Sequence, residues 1–333
     1  MKDIAQRCGV STATVSKALN GQPDIGEETR ARILRIADEL GYMANASARA
    51  LKTRHSYNIG VLFVDPMHGG LAHEFFSTVL DSIRSEAESH GYDITFINSS
   101  VGVRQTGYLQ HCRYRGVDGV VIASADFDDP MITELVQADL PVVTIDHVFN
   151  NRIAVVSDNL SGMDALVRCA AAKGHRRLAF IHGEKTSVTQ MRLTGFHRAC
   201  EELGISVPER WIREGVFHDP RRCYEITREL LAEGERPDCI LFPDDYSCIG
   251  GLNAIHEAGL SVPGDISCAG YDGIPLSRIM NPVLTTWRQN TEGLGREAAA
   301  RLIELIEHPR TAILDRVIVR GSLQEGGSIR DIR

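Results

Sequence analysis

From Asn58 onward, short apolar segments alternate with amphipathic segments along the chain. The apolar segments are rich in β-branched residues and predict buried strands. They are NIGVLFV (58–64), YDITFI (92–97), VDGVVIA (117–123), PVVTID (141–146), IAVVS (153–157), LAFIH (178–182), DCILFP (238–243) and ISCAGYD (266–272). The segments between them predict helices, such as EFFSTVLDSIRSEAESHG, which places Val79, Leu80 and Ile83 on one face. This alternation predicts an α/β fold of parallel sheets covered by helices.

The alternation begins again after Asp158, where DNLSGMDALVRCAAAKG predicts a helix before the next strand. Further helices are predicted from about Thr189 to Gly204 and in the segment that ends at Gly259. Two successive rounds of the same pattern predict two similar lobes. Folds of this type bind ligands in a cleft beyond the carboxyl ends of the strands.

Residues 1–56 have a different pattern, which predicts three short helices at Lys2–Cys8, Thr12–Leu19 and Glu27–Leu40. Gly9 suits a turn between the first two helices, and Ser11 suits the N-cap of the second. Two short helices joined by such a turn form a helix-turn-helix, whose second helix enters the major groove of DNA. A helical hairpin in which the small residues only pack together is the alternative.

The second predicted helix separates apolar positions from polar ones. Val15, Ala18 and Leu19 face inward, which leaves a polar outer face. That face comprises Thr12, Ala13, Ser16 and Lys17. Hydroxyl groups can contact phosphates, an alanine can meet a thymine methyl, and a lysine can reach a guanine edge.

Charge is unevenly distributed along the 333 residues, whose formal net charge is −8. Residues 1–56 carry a net +3 and residues 57–333 a net −11. A basic head on an acidic body is typical of proteins in which only the head approaches a polyanion.

No apolar run is long enough to span a membrane, and the first residues, MKDIAQRCGV, lack the apolar core of a secretory signal. A cytoplasmic location is therefore expected. The cysteines are scattered without a C-x-x-C pair, so we expect eight reduced core thiols and no metal site or cofactor.

The chain resembles the LacI/GalR family of transcriptional repressors in a series of segments that run in order over nearly its full length. The segments are DIAQRCGVSTATVSKALNG, ETRARILRIADELGY, NASARALKT, IGVLF, DGVVIA, VSDN, GHRRLAFIHG, RLTGF, GYDGIPLSR and LTTWRQNTEGLGREAA. The resemblance implies a homodimer or tetramer that binds a pseudo-palindromic operator. It also implies a small-molecule effector, usually a sugar, in the cleft of a body like that of periplasmic binding proteins.

The resemblance also implies the domain boundaries. The helix-turn-helix head spans residues 1–44 and a hinge helix with its linker spans 45–56. The first lobe of the body combines 57–158 with 288–317, and the second lobe combines 159–287 with 318–333.

By the same resemblance, Thr12, Ala13 and Lys17 contact base edges. Residues implied at or near the phosphates are Thr14, Ser16, Asn20, Thr29 and Tyr42, of which Tyr42 has packing under the third helix as an alternative role. NASARALKT (45–53) matches the hinge helix, with Leu51 as a wedge between base pairs. Its further DNA contacts are Asn45, Arg49 and Lys52, and Ala44 stands where the family often has Pro.

The resemblance places polar effector-binding residues at Asp146, Arg192, Asp272 and Gln289, with a structural salt bridge as the alternative for the first three. Phe75, Phe76 and Phe217 occupy positions of ring contacts, although Phe75 also suits core packing. Ser124 and His73 are further candidates.

Asp244 and Asp245 stand where relatives often have Asn-Asp, and we expect Asp244 to contact the effector. The added carboxylate favours a polyhydroxyl ligand, and a cationic one is compatible with it. The same charge disfavours an anion unless Arg192 offsets it.

An enzyme is not expected, because the sequence has no G-x-G-x-x-G, G-x-x-x-x-G-K-[ST], G-x-S-x-G or H-E-x-x-H motif. A sugar-binding carrier or sensor without DNA function is the second hypothesis, which requires a secretory signal and no DNA-binding head. The sequence therefore favours an effector-controlled repressor of a carbohydrate-utilisation operon. Whether the effector releases DNA or promotes binding stays open.

Overall fold

A computed structural model describes residues 1–19, 22–42, 55–64, 70–72 and 74–333. The chain divides into two compact units, Met1–Ser56 and Tyr57–Arg333. Six of the predicted site residues lie outside the described residues: Asn20, Asn45, Arg49, Leu51, Lys52 and His73. None of the described helices is long and apolar enough to cross a lipid bilayer.

The head contains helices α1 (Lys2–Cys8), α2 (Thr12–Leu19) and α3 (Glu27–Glu39). Ile4, Val15 and Ile33, one from each helix, form the centre of its small core. Gly9 turns the chain between α1 and α2 with a φ of 64°, a conformation that glycine adopts without strain. The Ser11 hydroxyl accepts a hydrogen bond from the Thr14 amide at 3.0 Å, as expected of an N-cap.

The first lobe of the body is built on a parallel sheet. Its strands are β1 (Asn58–Phe63), β2 (Asp93–Ile97), β5 (Gly119–Ser124), β6 (Val142–Ile145), β7 (Ile153–Ser157) and β13 (Arg316–Val319), in the order β13-β7-β6-β5-β1-β2. Helices α4 (Glu74–Ser89) and α12 (Thr291–Glu307) cover one face, and α5 (Tyr108–Arg115) and α6 (Pro130–Gln137) the other. Successive residues of one strand face opposite sides of the sheet, so Val121 packs under α4 and α12 and Ile122 packs under α5 and α6. A short hairpin joins β3 (Ser100–Val101) to β4 (Arg104–Gln105).

The second lobe repeats this architecture. Its strands are β8 (Leu178–His182), β9 (Ile212–Glu214), β10 (Cys239–Leu241), β11 (Ser267–Asp272), β12 (Thr285–Arg288) and β14 (Ser322–Gln324), in the order β14-β12-β11-β10-β8-β9. Helices α7 (Asn159–Ala172) and α8 (Ser187–Glu202) cover one face, and α9 (Pro220–Ala232) and α10 (Asp245–Glu257) the other. The short helix α11 (Pro275–Ile279) follows β11, and β14 alone in this sheet runs antiparallel to its neighbour.

Within residues 74–333, the chain passes between the lobes at Asp158, after Arg288 and after Val319. The expected boundary at residue 317 lies inside β13, which pairs with β7 as far as Val319 opposite Ser157. The eight cysteines are buried and unpaired, as predicted.

Candidate effector site and DNA-reading helix

The predicted polar residues of the body cluster where strands of the two sheets end. Asp146 directly follows β6, Asp272 ends β11 and Gln289 directly follows β12. Asp146 and Asp272 have positive φ angles of 54° and 100°, and so does His218 at 58°. These three are among the five non-glycine residues with positive φ in the described part of the chain. Such conformations are unfavourable and cluster at functional sites, where the surrounding structure enforces them.

Arg192 lies at the centre of this cluster on α8 and is buried. Its Nε donates to Asn159 Oδ1 at 2.8 Å, and its Nη1 donates to the Pro243 carbonyl at 2.7 Å. The guanidinium lies over the Tyr271 ring, 3.5 Å from the ring centroid. These contacts fix the side chain before any ligand is present, which favours tight binding.

Asp272 and Gln289 form the adjoining part of the site. Gln289 Nε2 donates to Asp272 Oδ1 at 2.7 Å, and Arg192 Nη2 lies 3.9 Å from the same oxygen. Burial raises the pKa of Asp272 above its ordinary value, although the Arg192 charge opposes this. Gln289 is 6% exposed, and its Oε1 is buried without a hydrogen-bond partner among the described residues. An unsatisfied buried acceptor is costly, so this oxygen is a place where a ligand donor can bind.

Asp146 brings the first lobe to the same site. Its Oδ1 accepts a hydrogen bond from the Ser157 amide at 2.6 Å, and its Oδ2 accepts one from the Ser157 hydroxyl at 3.2 Å. Burial raises the pKa of Asp146, while the Ser157 hydrogen bonds and the Arg192 charge act against this. The Asp146 carbonyl accepts a hydrogen bond from the Ser187 hydroxyl of the second lobe at 2.8 Å. Asp146 therefore lies where the two lobes touch.

The structure gives the predicted contact residue Asp244 a capping role. Its Oδ1 accepts from the Ser247 amide and its Oδ2 from the His218 amide, both at 2.8 Å, at the beginning of α10. Its neighbour Asp245 is equally buried and accepts hydrogen bonds from Thr286 and from the Ile274 amide. Because both oxygens of Asp244 already have partners, a direct contact between Asp244 and an effector stays a prediction.

His218 lies beside the site but was not among the residues singled out from the sequence. Its Nδ1 is 3.6 Å from Asp244 Oδ1. Burial alone would lower the pKa of His218, but the facing Asp244 carboxylate outweighs this and raises it. Burial likewise opposes ionisation of Asp244, and the hydrogen bond and charge of His218 outweigh it, so the pKa of Asp244 is lowered. No sequence motif signals this pair, because a histidine after an aromatic residue has no fixed role.

The three predicted phenylalanines have different environments. The Phe217 ring lies 5.4 Å from the Arg192 guanidinium and covers Gly183 so closely that a Cβ there would lie 2.2 Å from the ring. Phe75 is buried in the core of the first lobe, which favours the packing alternative. Phe76 is partly buried, with its ring 4.9 Å from that of Phe63. Ser124 is partly buried at the end of β5.

In the head, the structure separates the predicted DNA-contacting residues by exposure. Thr12, Ala13 and Lys17 are exposed on α2. The partly buried ones are Thr14, Ser16, Thr29 and Tyr42. Tyr42 packs against the core of the head, consistent with its alternative role. Lys17 Nζ donates to Asp24 Oδ2 at 2.5 Å.

Comparison with known proteins supports both units. Residues 1–45 match the model described as "Bacterial regulatory proteins, lacI family", and residues 167–329 match "Periplasmic binding protein-like domain". The chain is 32% identical to the HTH-type transcriptional repressor PurR of Escherichia fergusonii, covering 100% of this chain and 99% of that protein. It is also 32% identical to PurR of Proteus mirabilis, covering 98% and 97%.

Solved structures agree with these relatives. The lac repressor dimer bound to operator and the anti-inducer ONPF is 26% identical, with a TM-score of 0.81 and 98% coverage of both chains. The complex of the transcriptional regulator CelR with cellobiose is 25% identical, with a TM-score of 0.72 and the same coverage. A LacI-family regulator from Enterococcus faecium with bound ribose is 25% identical, with a TM-score of 0.70, covering 83% of this chain and 100% of that one.

A helix-turn-helix head joined to a two-lobed body is the architecture of these DNA-binding transcriptional repressors. The chain is therefore a DNA-binding repressor and not an enzyme. The chain belongs to the lacI family of bacterial regulatory proteins. The hypothesis of a carrier without DNA function does not account for residues 1–45.

Proposed function

We propose that this repressor binds a palindromic operator as a homodimer and that a neutral polyhydroxyl compound, a sugar or a sugar derivative, controls it from the cleft. The observation that carries the effector class is Gln289 Oε1, the buried acceptor that has no described partner. Asp272 lies 2.7 Å from the amide nitrogen of the same side chain, and it offers a second acceptor. Adjacent hydroxyls of a sugar supply donors for both.

Arg192 supplies the complementary donor. Its Nη2 lies 3.9 Å from Asp272, beyond hydrogen-bond distance, and can donate to a hydroxyl oxygen that itself donates to the carboxylate. The aromatic ring of Phe217 offers an apolar face close by. An anionic ligand would be repelled by the carboxylates of Asp146 and Asp272. The positive charge of Arg192 would attract it only weakly, because the same two carboxylates already offset that charge. A neutral ligand therefore fits better.

Support for the carbohydrate class and for the dimer also comes from the relatives. CelR binds cellobiose, the Enterococcus faecium regulator binds ribose, and the lac repressor binds its operator as a dimer. Exposed apolar side chains suited to a subunit contact occur on the body, among them Phe96 on the edge strand β2 and Ile279 at the end of α11. Two heads related by a twofold axis would read the two halves of a palindrome in the cytoplasm.

We further propose that ligand binding acts through the contact between the lobes. The hydrogen bond from Ser187 to the Asp146 carbonyl joins the lobes beside the proposed ligand position. A ligand that bridges Asp146 and Arg192 would change the population of the arrangement in which the two lobes are in contact. That shift would change the spacing of the two hinge helices of the dimer. The predicted hinge contacts Asn45, Arg49, Leu51 and Lys52 would convey the change to DNA.

A thermal-shift screen with neutral sugars and sugar phosphates tests the effector class. A ligand that binds only the folded protein raises the melting temperature, by mass action. We expect a shift with one or more neutral sugars, and Gln289→Leu should remove it. A shift produced only by sugar phosphates would contradict the neutral class. Operator binding is tested separately by its inverse dependence on salt concentration, and affinity unchanged by salt would contradict the DNA contacts.

A further inference from the structure

A series of hydrogen-bonded residues connects the two lobes through the passage of the chain at Asp158. Its members are Asp146, Ser157, Asn159 and Arg192, and together they form the crossover series. Ser157 ends β7 in the first lobe and Asn159 begins α7 in the second, with Asp158 between them. Asp146 and Arg192, at the two ends of the series, are the residues that the proposed ligand would bridge.

Each step of the crossover series is a hydrogen bond. The Ser157 amide and hydroxyl donate to the Asp146 carboxylate at 2.6 and 3.2 Å. Asn159 Nδ2 donates to the Ser157 carbonyl at 3.4 Å, and Asn159 Oδ1 accepts from Arg192 Nε at 2.8 Å. Asn159 is buried, so both ends of its amide depend on these protein partners.

The two neighbours of the Asn159 side chain require opposite functions from it. The Arg192 guanidinium only donates hydrogen bonds, and the Ser157 carbonyl only accepts them. An amide carries one acceptor and one donor group, so it satisfies both neighbours at once. A carboxylate at this position would keep the bond to Arg192, but it would face the Ser157 carbonyl with a second acceptor.

The bond between Asn159 and Ser157 is the step that crosses from one lobe to the other. The remaining steps lie within a lobe, since Asp146 and Ser157 belong to the first and Asn159 and Arg192 to the second. At 3.4 Å the crossing step is the longest of the series, so a slight further stretch breaks it. A rotation of the lobes about Asp158 therefore changes this bond before the others.

We propose that Asn159 is a positioning residue that couples occupancy of the effector site to the angle between the lobes. This inference rests on the proposed function and names the residue through which it acts. Nε and Nη2 of Arg192 belong to one rigid planar group, so a ligand that binds Nη2 also fixes the direction of the bond from Nε to Asn159. Ligand binding and the bond from Asn159 to Ser157 thus depend on each other, whichever lobe arrangement the ligand prefers.

The test measures how far a sugar changes operator affinity in the full-length protein and in Asn159→Asp. The operator is a duplex enriched from a random library by the unaltered protein. The sugar is the neutral one that raises the melting temperature of the unaltered protein most, in a panel that includes ribose and cellobiose. It is used at saturating concentration, so that a small change in sugar affinity does not alter the ratio of operator affinities with and without sugar.

We expect the sugar to change the operator affinity of the unaltered protein by about 10- to 100-fold, and Asn159→Asp to reduce this ratio by about fivefold or more. The sugar affinity of the DNA-free variant should stay within about threefold, because Arg192 keeps its acceptor. The variant should fold, since a negative charge is favourable in the first turn of a helix. A defect in folding alone would lower the melting temperature but leave the ratio unchanged.

Two further variants separate the causes. Asn290→Asp makes the same change where the chain passes between the lobes after Arg288. Asn290 Oδ1 caps α12 by accepting from the Gly293 amide at 2.9 Å, and an aspartate caps equally well, so the ratio should stay unchanged. Asn159→Leu has neither acceptor nor donor, and it should lower both the sugar affinity and the ratio.

The outcomes distinguish this inference from the proposed function. A ratio in Asn159→Asp equal to that of the unaltered protein would overturn the inference. If Asn159→Asp does not fold, Asn159→Leu decides in the same way. No effect of any sugar on the operator affinity of the unaltered protein would instead overturn the proposed function, and the inference with it.

Discussion

Replacing Arg192 with Met tests whether the buried charges of the effector site depend on one another. The change removes hydrogen bonds of 2.8 Å to Asn159 and 2.7 Å to Pro243, and it leaves the Asp272 carboxylate without its nearest cation. Removing one partner of a buried ion pair costs about 3–5 kcal/mol of unfolding free energy. Arg168→Met is the matched control, since Arg168 pairs with Asp164 and Glu202 on the surface. Its loss should cost less than about 1 kcal/mol.

The cost of Arg192→Met should also depend on pH. Burial raises the folded-state pKa of Asp272 above its unfolded value, and loss of Arg192 raises it further. A carboxyl group of this kind takes up a proton in the folded state as pH falls, so its destabilising contribution is present at high pH and is relieved at lower pH. The loss of unfolding free energy caused by Arg192→Met should therefore become smaller as the pH falls from about 8 to about 5. Adding Asp272→Asn should recover part of the loss at pH 8.

Urea denaturation followed by tryptophan fluorescence measures these differences, because Trp211 and Trp287 are both buried in the second lobe. Three results would refute the reasoning. The first is a cost for Arg192→Met no larger than that for Arg168→Met, the second is a cost that does not change with pH, and the third is no recovery with Asp272→Asn.

Four other changes test separate parts of the molecule. Asp272→Asn should weaken binding of the sugar found in the thermal-shift screen by about 10- to 100-fold, measured by calorimetry, and leave DNA affinity unchanged. The same sugar affinity in the variant and the unaltered protein would exclude a contact between Asp272 and the ligand. Gly250→Ala places a Cβ 1.7 Å from the carbonyl oxygen of Pro220, the first residue of α9, so it should lower the unfolding free energy by more than about 3 kcal/mol. The control is Gly234→Ala, whose Cβ meets open space and should cost less than about 0.5 kcal/mol. His218 has a raised folded pKa, so its stabilising contribution is complete below its unfolded pKa near 6.5 and is lost as pH rises through the folded value. His218→Asn should flatten that decline in unfolding free energy, and an unchanged slope would contradict the assignment. Leu51→Ala should lower operator affinity but not effector affinity, and equal loss of both would indicate misfolding instead.

Local patterns were sufficient for much of the fold. The period of apolar residues predicts the three helices of the head and eight strands of the body, because side chains alternate at fixed spacings within one element. It also predicts an outer face of α2 formed by Thr12, Ala13, Ser16 and Lys17, of which the structure has Ser16 partly buried and the other three exposed. The alternation predicts helices between the strands in general, but no individual helix is predicted at α5, α6 or α9, whose segments are short or rich in charge. The strands β13 and β14 were also missed, because strands at a sheet edge need fewer apolar residues.

The sequence by itself determined that Asp146 and Asp272 stand at strand ends, because the pattern of apolar residues indicates where their strands stop, whereas Gln289 was assigned to the site only through the family resemblance. Only the tertiary structure decided which of their atoms have partners. Asp244 is occupied as a helix cap and Lys17 is held by Asp24, whereas Gln289 Oε1 is left as an acceptor without a described partner. The physical reason is distance along the chain, since a hydrogen bond such as that from Arg192 to the Pro243 carbonyl joins residues that no local pattern connects.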